Sequence, residues 1–190
     1  AALAFWLNCY NAATQLLLER RPALFDSRVR FFRAPAITVA GTALSLDDVE
    51  HGILRGRRSK YGLGYLPRLS RTGLGAAYRL EPDPRIHFAL NCGAASCPAI
   101  LAYEPEPIDE ILDEATRTSL ERSVEYDPER DRLRLPRVCL WFLGDFGGPS
   151  GLRSFLRTHG VVPESASTPS LRFRGYDWSA RPRAFASSRE

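Results

Sequence analysis

The stretch Asp83–Ile100, "DPRIHFALNCGAASCPAI", opens on a turn, becomes a short apolar run and then meets two cysteines separated by small residues. His87 precedes Cys92 by five positions. Four readings are open: a nucleophile beside its base, a disulfide loop, half a metal site, or a buried strand ending in a tight turn. Read as a strand, Arg85–Leu90 alternates its faces. Arg85, His87 and Ala89 share one face, which Asn91 continues; Ile86, Phe88 and Leu90 share the other and can be buried. Gly93, Ala94 and Ala95 leave room for backbone N–H groups to approach an anion. A helix beginning there would lower a cysteine pKa from its usual ~8.5. Cys92 is read equally as a small buried hydrophobe. Cys92 and Cys97 can also pair in an oxidising compartment. Zinc is disfavoured, because C-x4-C is a loose spacing and no His-rich partner motif accompanies it.

Outward from this stretch, the chain reads as alternating helices and short strands. Leu3–Arg20 has helical spacing in Phe5, Trp6, Tyr10, Ala13, Leu16 and Leu17, and Pro22 closes it. "AITVAGTALSL", Ala36–Leu46, predicts two short strands around Gly41. "SLDDVEHGILR" follows, with Ser45 a candidate N-cap and Asp48 three residues on. Arg55–Arg79 is Gly- and Arg-rich and predicted irregular. Pro107–Arg122 predicts a helix, "VEYDPERDRLRL" a hairpin, "VCLWFLGDFGG" a short helix ended by glycines, and "GLRSFLRTHG" another. "PESASTPS" is predicted as a linker, "LRFRGYDW" as a last strand, and the tail from Ser179 as frayed. The expectation is an α+β fold, one domain over residues 1–179 with a polar tail over 180–190. Its antiparallel sheet is flanked by helices, with Arg85–Leu90 central under the first helix. A papain-like or transglutaminase-like arrangement is one form this could take.

The 190 residues suffice for one domain with a sizeable core. With 44% hydrophobic and 25% charged residues, the composition is that of a folded chain. No apolar run approaches the ~20 residues a membrane span needs, and no signal peptide is visible. The chain opens directly on a helical pattern, so a lead-in is expected to precede residue 1. Net charge is +4, nearly all from Arg, with Lys60 the only lysine. The densest basic stretch, "LRGRRSK", reads as a solvated helix end, and no nucleic-acid signature accompanies it.

Three polar constellations complete the site candidates. Asp47, Glu50, His51 and Arg55 include i, i+4 neighbours; Asp47 can meet His51, raise its pKa and fix its tautomer. Spacing alone also fits a surface ion-pair cluster. Asn8 and Asn11 lie on an otherwise apolar helix, where buried amides must find partners; they either bond a neighbouring loop or touch a ligand. Asp145 beside a Gly-rich helix end reads as a cap.

The segments "AFWLNCYNAAT", "SLDDVEHGILR", "DPRIHFALNCGAASCPAI", "LWFLGDFGG" and "YDWS", in this order over Ala4–Ser179, resemble the domain-of-unknown-function 547 family. The resemblance implies fold and site location but brings no established reaction. Bacterial members of that family often carry signal peptides, so the resemblance implies a periplasmic or extracellular setting, whereas plant relatives attach the domain to a coiled-coil segment. Cys9 stands where the family pattern has an apolar or small residue, which argues against a general catalytic role for it.

Two functional classes follow. In the first, a thiol enzyme of acyl-transfer or hydrolytic type uses Cys92 as nucleophile and His51 or His87 as base, with Glu50 as a further catalytic candidate. Asn8, Asn11, Arg55, Arg85, Asn91 and Ser96 are the candidate ligand contacts. In the second, a non-catalytic module holds a peptide or anionic ligand at the Arg85/His87 face. No cofactor, metal or nucleic acid is expected in either.

Overall fold

The computed structural model describes residues 1–69, 78–163 and 168–186. Of the irregular Arg55–Arg79 stretch, the predicted linker and the tail, residues 70–77, 164–167 and 187–190 lie outside the described residues. Helix α1 (Ala2–Arg20) is built from strong helix formers and buries Trp6, Leu7, Tyr10, Asn11, Leu17 and Leu18. Pro22 ends it and opens a 3-10 turn, Pro22–Asp26, before α2 (Arg28–Arg33).

Strands β1 (Pro35–Val39) and β2 (Thr42–Ser45) form an antiparallel hairpin. Its two turn residues, Ala40 and Gly41, both have positive φ, the conformation that matches strand twist. Ser45 and Asp48 then bond reciprocally. Asp48 N–H donates to Ser45 Oγ at 3.2 Å, and Ser45 N–H donates to Asp48 Oδ2 at 3.1 Å. This is the expected capping box. The helix beyond it widens into a π-helix over Asp48–Leu54, in which Arg55 N–H donates to Glu50 O at 2.9 Å. Such wide turns are often found at functional sites.

Arg85–Leu90 is not a strand. Pro84–Phe88 is a 3-10 helix in which Asp83 accepts the Arg85 N–H at 2.9 Å. Asp-Pro at a cap and first-turn position is a local start signal, and it outweighs a short apolar run that suits strand or helix equally. The two-face alternation is therefore lost. Ile86, His87, Phe88, Ala89 and Leu90 are all buried, while Arg85 turns aside to Asp83, Asp109 and Asp113. The burial against α1 expected of this segment is present: Asn11 Nδ2 donates to Ala89 O at 3.0 Å.

Helix α3 (Ile108–Ser123) leads to the hairpin of β3 (Glu125–Asp127) and β4 (Arg132–Leu135). Two short helices follow, α4 (Val138–Trp141) and α5 (Gly148–Thr158). Strand β5 (Ser170–Phe173) joins β4 in parallel, so this three-stranded sheet is mixed and the two hairpins supply the antiparallel pairing. One apolar cluster gathers α1, the first hairpin and the π-helix; a second gathers β4, α4 and α5. The 3-10 segment joins them, since Ile86, Ala89 and Leu90 lie in the first and Phe88 in the second.

The tail departs from the frayed expectation. Ala180 bridges Ala94, Arg181 N–H donates to Gly93 O at 2.8 Å, and Ile100 N–H donates to Ala184 O at 2.8 Å. Unpaired amides of the 93–100 loop thus find their partners in the chain's last described residues. Among the described residues no helix is long and apolar enough to cross a membrane.

Candidate functional site

The cysteine loop is set by two buried amides. Asn11 Oδ1 accepts the Asn91 N–H at 2.8 Å. Asn91 Oδ1 accepts the Gly93 N–H at 2.9 Å, while its Nδ2 donates to Pro98 O at 2.7 Å. Gly93 has φ +86, and a Cβ there would stand 2.7 Å from Leu18. Only glycine fits that turn. Asn8 clamps Tyr103 through both its N–H and its carbonyl, at 2.9 and 2.8 Å. Both α1 amides hold backbone, and Ser96 Oγ accepts the Asp177 N–H at 2.8 Å.

The turn brings Cys92 Sγ to 2.7 Å from Cys97 Sγ, with Tyr176 Oη 3.1 Å from each. Both are free thiols and half-buried. Their environments differ. The hydrogen bond to Cys97, then burial, pushes the Cys92 thiol well up. Burial also raises Cys97, but bonds from Cys92 and Tyr176 and from the backbone outweigh it and bring it to about 7. The geometry has the same bias, since the Cys92 N–H donates to Cys97 Sγ at 3.1 Å and so favours negative charge there.

The second half of the site is a buried polar chain. Arg55 is fully buried, and its Nε and Nη2 donate to Asp145 Oδ2 and Oδ1 at 2.6 and 3.0 Å. His87 Nε2 and Arg58 Nη1 complete the carboxylate at 2.8 and 3.0 Å. Burial pulls the Asp145 pKa up, but the bonds from His87 and Arg55 hold it well below the usual carboxylate range. Asp145 only accepts, so His87 Nε2 carries the proton; burial keeps that ring neutral and leaves Nδ1 bare. The ring stacks on Phe142 at 4.3 Å.

His51 has the opposite tautomer. Arg55 Nη1 lies 2.9 Å from its Nδ1, and a guanidinium only donates. The proton is then on Nε2, which faces Asp47 Oδ1 at 3.7 Å. Burial first, then Arg55, pushes the His51 pKa well down. Lys60 covers the other oxygen of Asp47 at 2.5 Å. Glu50 accepts from Tyr10 Oη at 3.0 Å. Burial raises its pKa to about 7, against the pull of Arg55 and Tyr10.

Glu50, His51, His87, Cys92 and Ser96 all line one cavity of about 590 Å³, walled by Trp141, Tyr176 and Trp178. Arg55 sits behind it and braces His51. Cys92 Sγ meets Cys97 and Tyr176, and neither His51 nor His87 hydrogen-bonds to it. Arg85 is absent from the cavity wall, bound to its three carboxylates, so Arg85 and His87 do not share a face. Asp145, read from sequence as a cap, is the hub of the polar chain, and Tyr176 is the partner of both thiols. Tyr10 was visible only as a core residue. No group of three or more His, Cys, Asp or Glu among the described residues is placed to hold a metal.

Fold and site together define a mixed α and β protein with paired thiols, one of which shares a cavity with a buried carboxyl. The chain belongs to the family described as "protein of unknown function, DUF547", which matches residues 1–119. No curated protein and no solved structure matches it.

Proposed function

We propose that this chain is a thiol-dependent enzyme of acyl transfer or hydrolysis, with Cys92 as the nucleophile. The observation that carries this is the opening of Cys92 and Glu50 onto the same 590 Å³ cavity, with a proton acceptor for Cys92 only 2.7 Å away. Cys92 Sγ attacks the acyl carbon while Cys97 Sγ takes its proton. The developing oxyanion accepts a hydrogen bond from His51 Nε2–H, which Arg55 holds in that tautomer. Glu50, with a pKa of about 7, is partly protonated at neutral pH and protonates the leaving group. As a carboxylate it then takes a proton from the water or amine that releases the acyl group from Cys92. His87, tied to Asp145, is a positioning residue, and its bare Nδ1 is the competing base.

Reduced protein is incubated with p-nitrophenyl acetate and with an N-acyl peptide thioester, and turnover and acylation of Cys92 are followed. Cys92→Ser should abolish both, and Glu50→Gln should slow turnover by about 10²-fold. Full turnover by Cys92→Ser would remove the nucleophile assignment. Tight binding of the peptide without turnover would favour a non-catalytic peptide-binding module.

A further inference from the structure

Cys97 does not line the cavity that Cys92 lines, although the two spaces adjoin at Ser96 and Pro98. It lines a second cleft of about 1370 Å³ between the 95–102 loop, α3 and the C-terminal segment. Cys92 opens on the first cavity and stands directly behind Cys97. A disulfide bond needs an S–S distance of ~2.05 Å, and the two sulfurs lie within a small side-chain movement of it. Their loop is held from both sides, by Asn11 and Asn91 within and by the 177–186 segment outside. The pair is therefore brought together by the fold rather than by chance collision, as a dithiol that closes rapidly requires.

We propose that Cys92 and Cys97 form a thiol–disulfide exchange site for low-molecular-weight disulfides entering the second cleft, with Cys97 the attacking sulfur and Cys92 the resolving one. This goes beyond the acyl-transfer reading and does not depend on it. Three donors converge on Cys97: the Cys92 N–H at 3.1 Å, the Cys92 thiol at 2.7 Å and the Tyr176 hydroxyl at 3.1 Å. A thiolate is the attacking form, and such donors favour it. Cys97 S⁻ attacks one sulfur of the incoming disulfide. The Cys97–sulfur bond forms, the substrate S–S bond breaks, and one small thiolate leaves. Cys92 then attacks Cys97 Sγ, the Cys92–Cys97 bond forms, and the second small thiolate departs. The Cys92 proton ends on one of the two released thiols. Two protein sulfurs are oxidised by two electrons, and the disulfide is reduced to two thiols. Tyr176 touches both sulfurs, so its hydroxyl can follow the charge from one to the other. Once oxidised, Cys92 is removed from the first cavity as a nucleophile.

The probe is glutathione disulfide, added to the fully reduced protein at pH 7. The reaction is quenched with acid and N-ethylmaleimide, and the tryptic peptide spanning residues 86–117, which holds both cysteines, is weighed. The expected product has lost two hydrogens and carries no glutathione, with two glutathione thiols released per chain. Cys92→Ser should trap glutathione on Cys97, and Cys97→Ser should leave Cys92 reacting about tenfold or more slowly. Glutathione retained on either cysteine of the native protein would overturn the proposal. So would a pair that reacts no faster than Cys9. The native stoichiometry decides the matter even if a variant fails to fold, and a protein that turns over no ester can still pass.

Discussion

Arg55 and Asp145, 90 positions apart, meet as a fork-on-fork pair with neither side chain open to solvent. This single contact locks the π-helix to the turn after α4. It also sets both imidazoles, since Arg55 holds His51 and Asp145 holds His87.

Removing one partner leaves the other charge buried and alone. Asp145→Ala should therefore cost about 3–5 kcal/mol, read from urea unfolding curves. Arg55→Lys keeps the charge but loses the fork, and should also destabilise. A loss below ~1 kcal/mol for Asp145→Ala would show that the pair does not organise the site.

Glu50 makes stability depend on pH in an unusual direction. Its carboxyl has a pKa of about 7 in the folded chain, against ~4.3 when unfolded. Between these values the folded state binds more protons, so stability falls as pH rises from ~4.3 through 7. The full effect is on the order of 4 kcal/mol. Glu50→Gln should flatten this slope and be relatively more stable than the parent at pH 8 than at pH 4. Parallel melting curves for the two proteins across that range would refute the burial of an ionisable Glu50.

Under the acyl-transfer reading, activity needs Cys97 deprotonated and Glu50 protonated, and both groups titrate at about 7. The pH–rate profile should be a narrow bell near neutrality, with apparent values belonging to the coupled site. Glu50→Gln should lose the alkaline limb along with most of the rate. An activity that keeps rising to pH 10 would mean that Cys92 ionises on its own.

Tyr176→Phe removes a donor from both sulfurs. Cys97 should then titrate above its value of about 7, seen as an alkaline displacement of the pH profile for iodoacetamide labelling. An unmoved profile would show that Tyr176 does not stabilise the thiolate.

Asn11→Ala orphans the buried Asn91 N–H and leaves the Ala89 carbonyl only the longer bond from Tyr103 Oη, at 3.3 Å. A loss of about 1–3 kcal/mol is expected from the orphaned N–H, together with faster alkylation of Cys92 as its loop loosens. Wild-type stability would place the hold on the loop elsewhere.

Much of this arrangement was legible where local chemistry and tertiary context agree. Helix α1, both hairpins and the Ser45–Asp48 cap follow from period, turn residues and spacing. Arg85–Leu90 misled because its apolar run outshone the Asp83-Pro84 start signal beside it. Glu50, His51, His87 and Cys92 could be named from sequence as residues of interest, but their protonation could not. The tautomers depend on Arg55 and Asp145, and nothing in "LWFLGDFGG" says which distant cation its aspartate will receive. Tyr176 was hidden for the same reason, as its partners lie 84 and 79 positions away.

That last separation has a consequence in time. At 5–20 residues per second, the 79 positions from Cys97 to Tyr176 take the ribosome roughly 4–16 s to add. Through that interval the nascent chain displays both cysteines without the hydroxyl that sits between them, and without the 177–186 segment against their loop. Cys92 and Cys97 then meet oxidants and chaperones as ordinary thiols. They acquire their distinct characters only when the far end of the chain folds back.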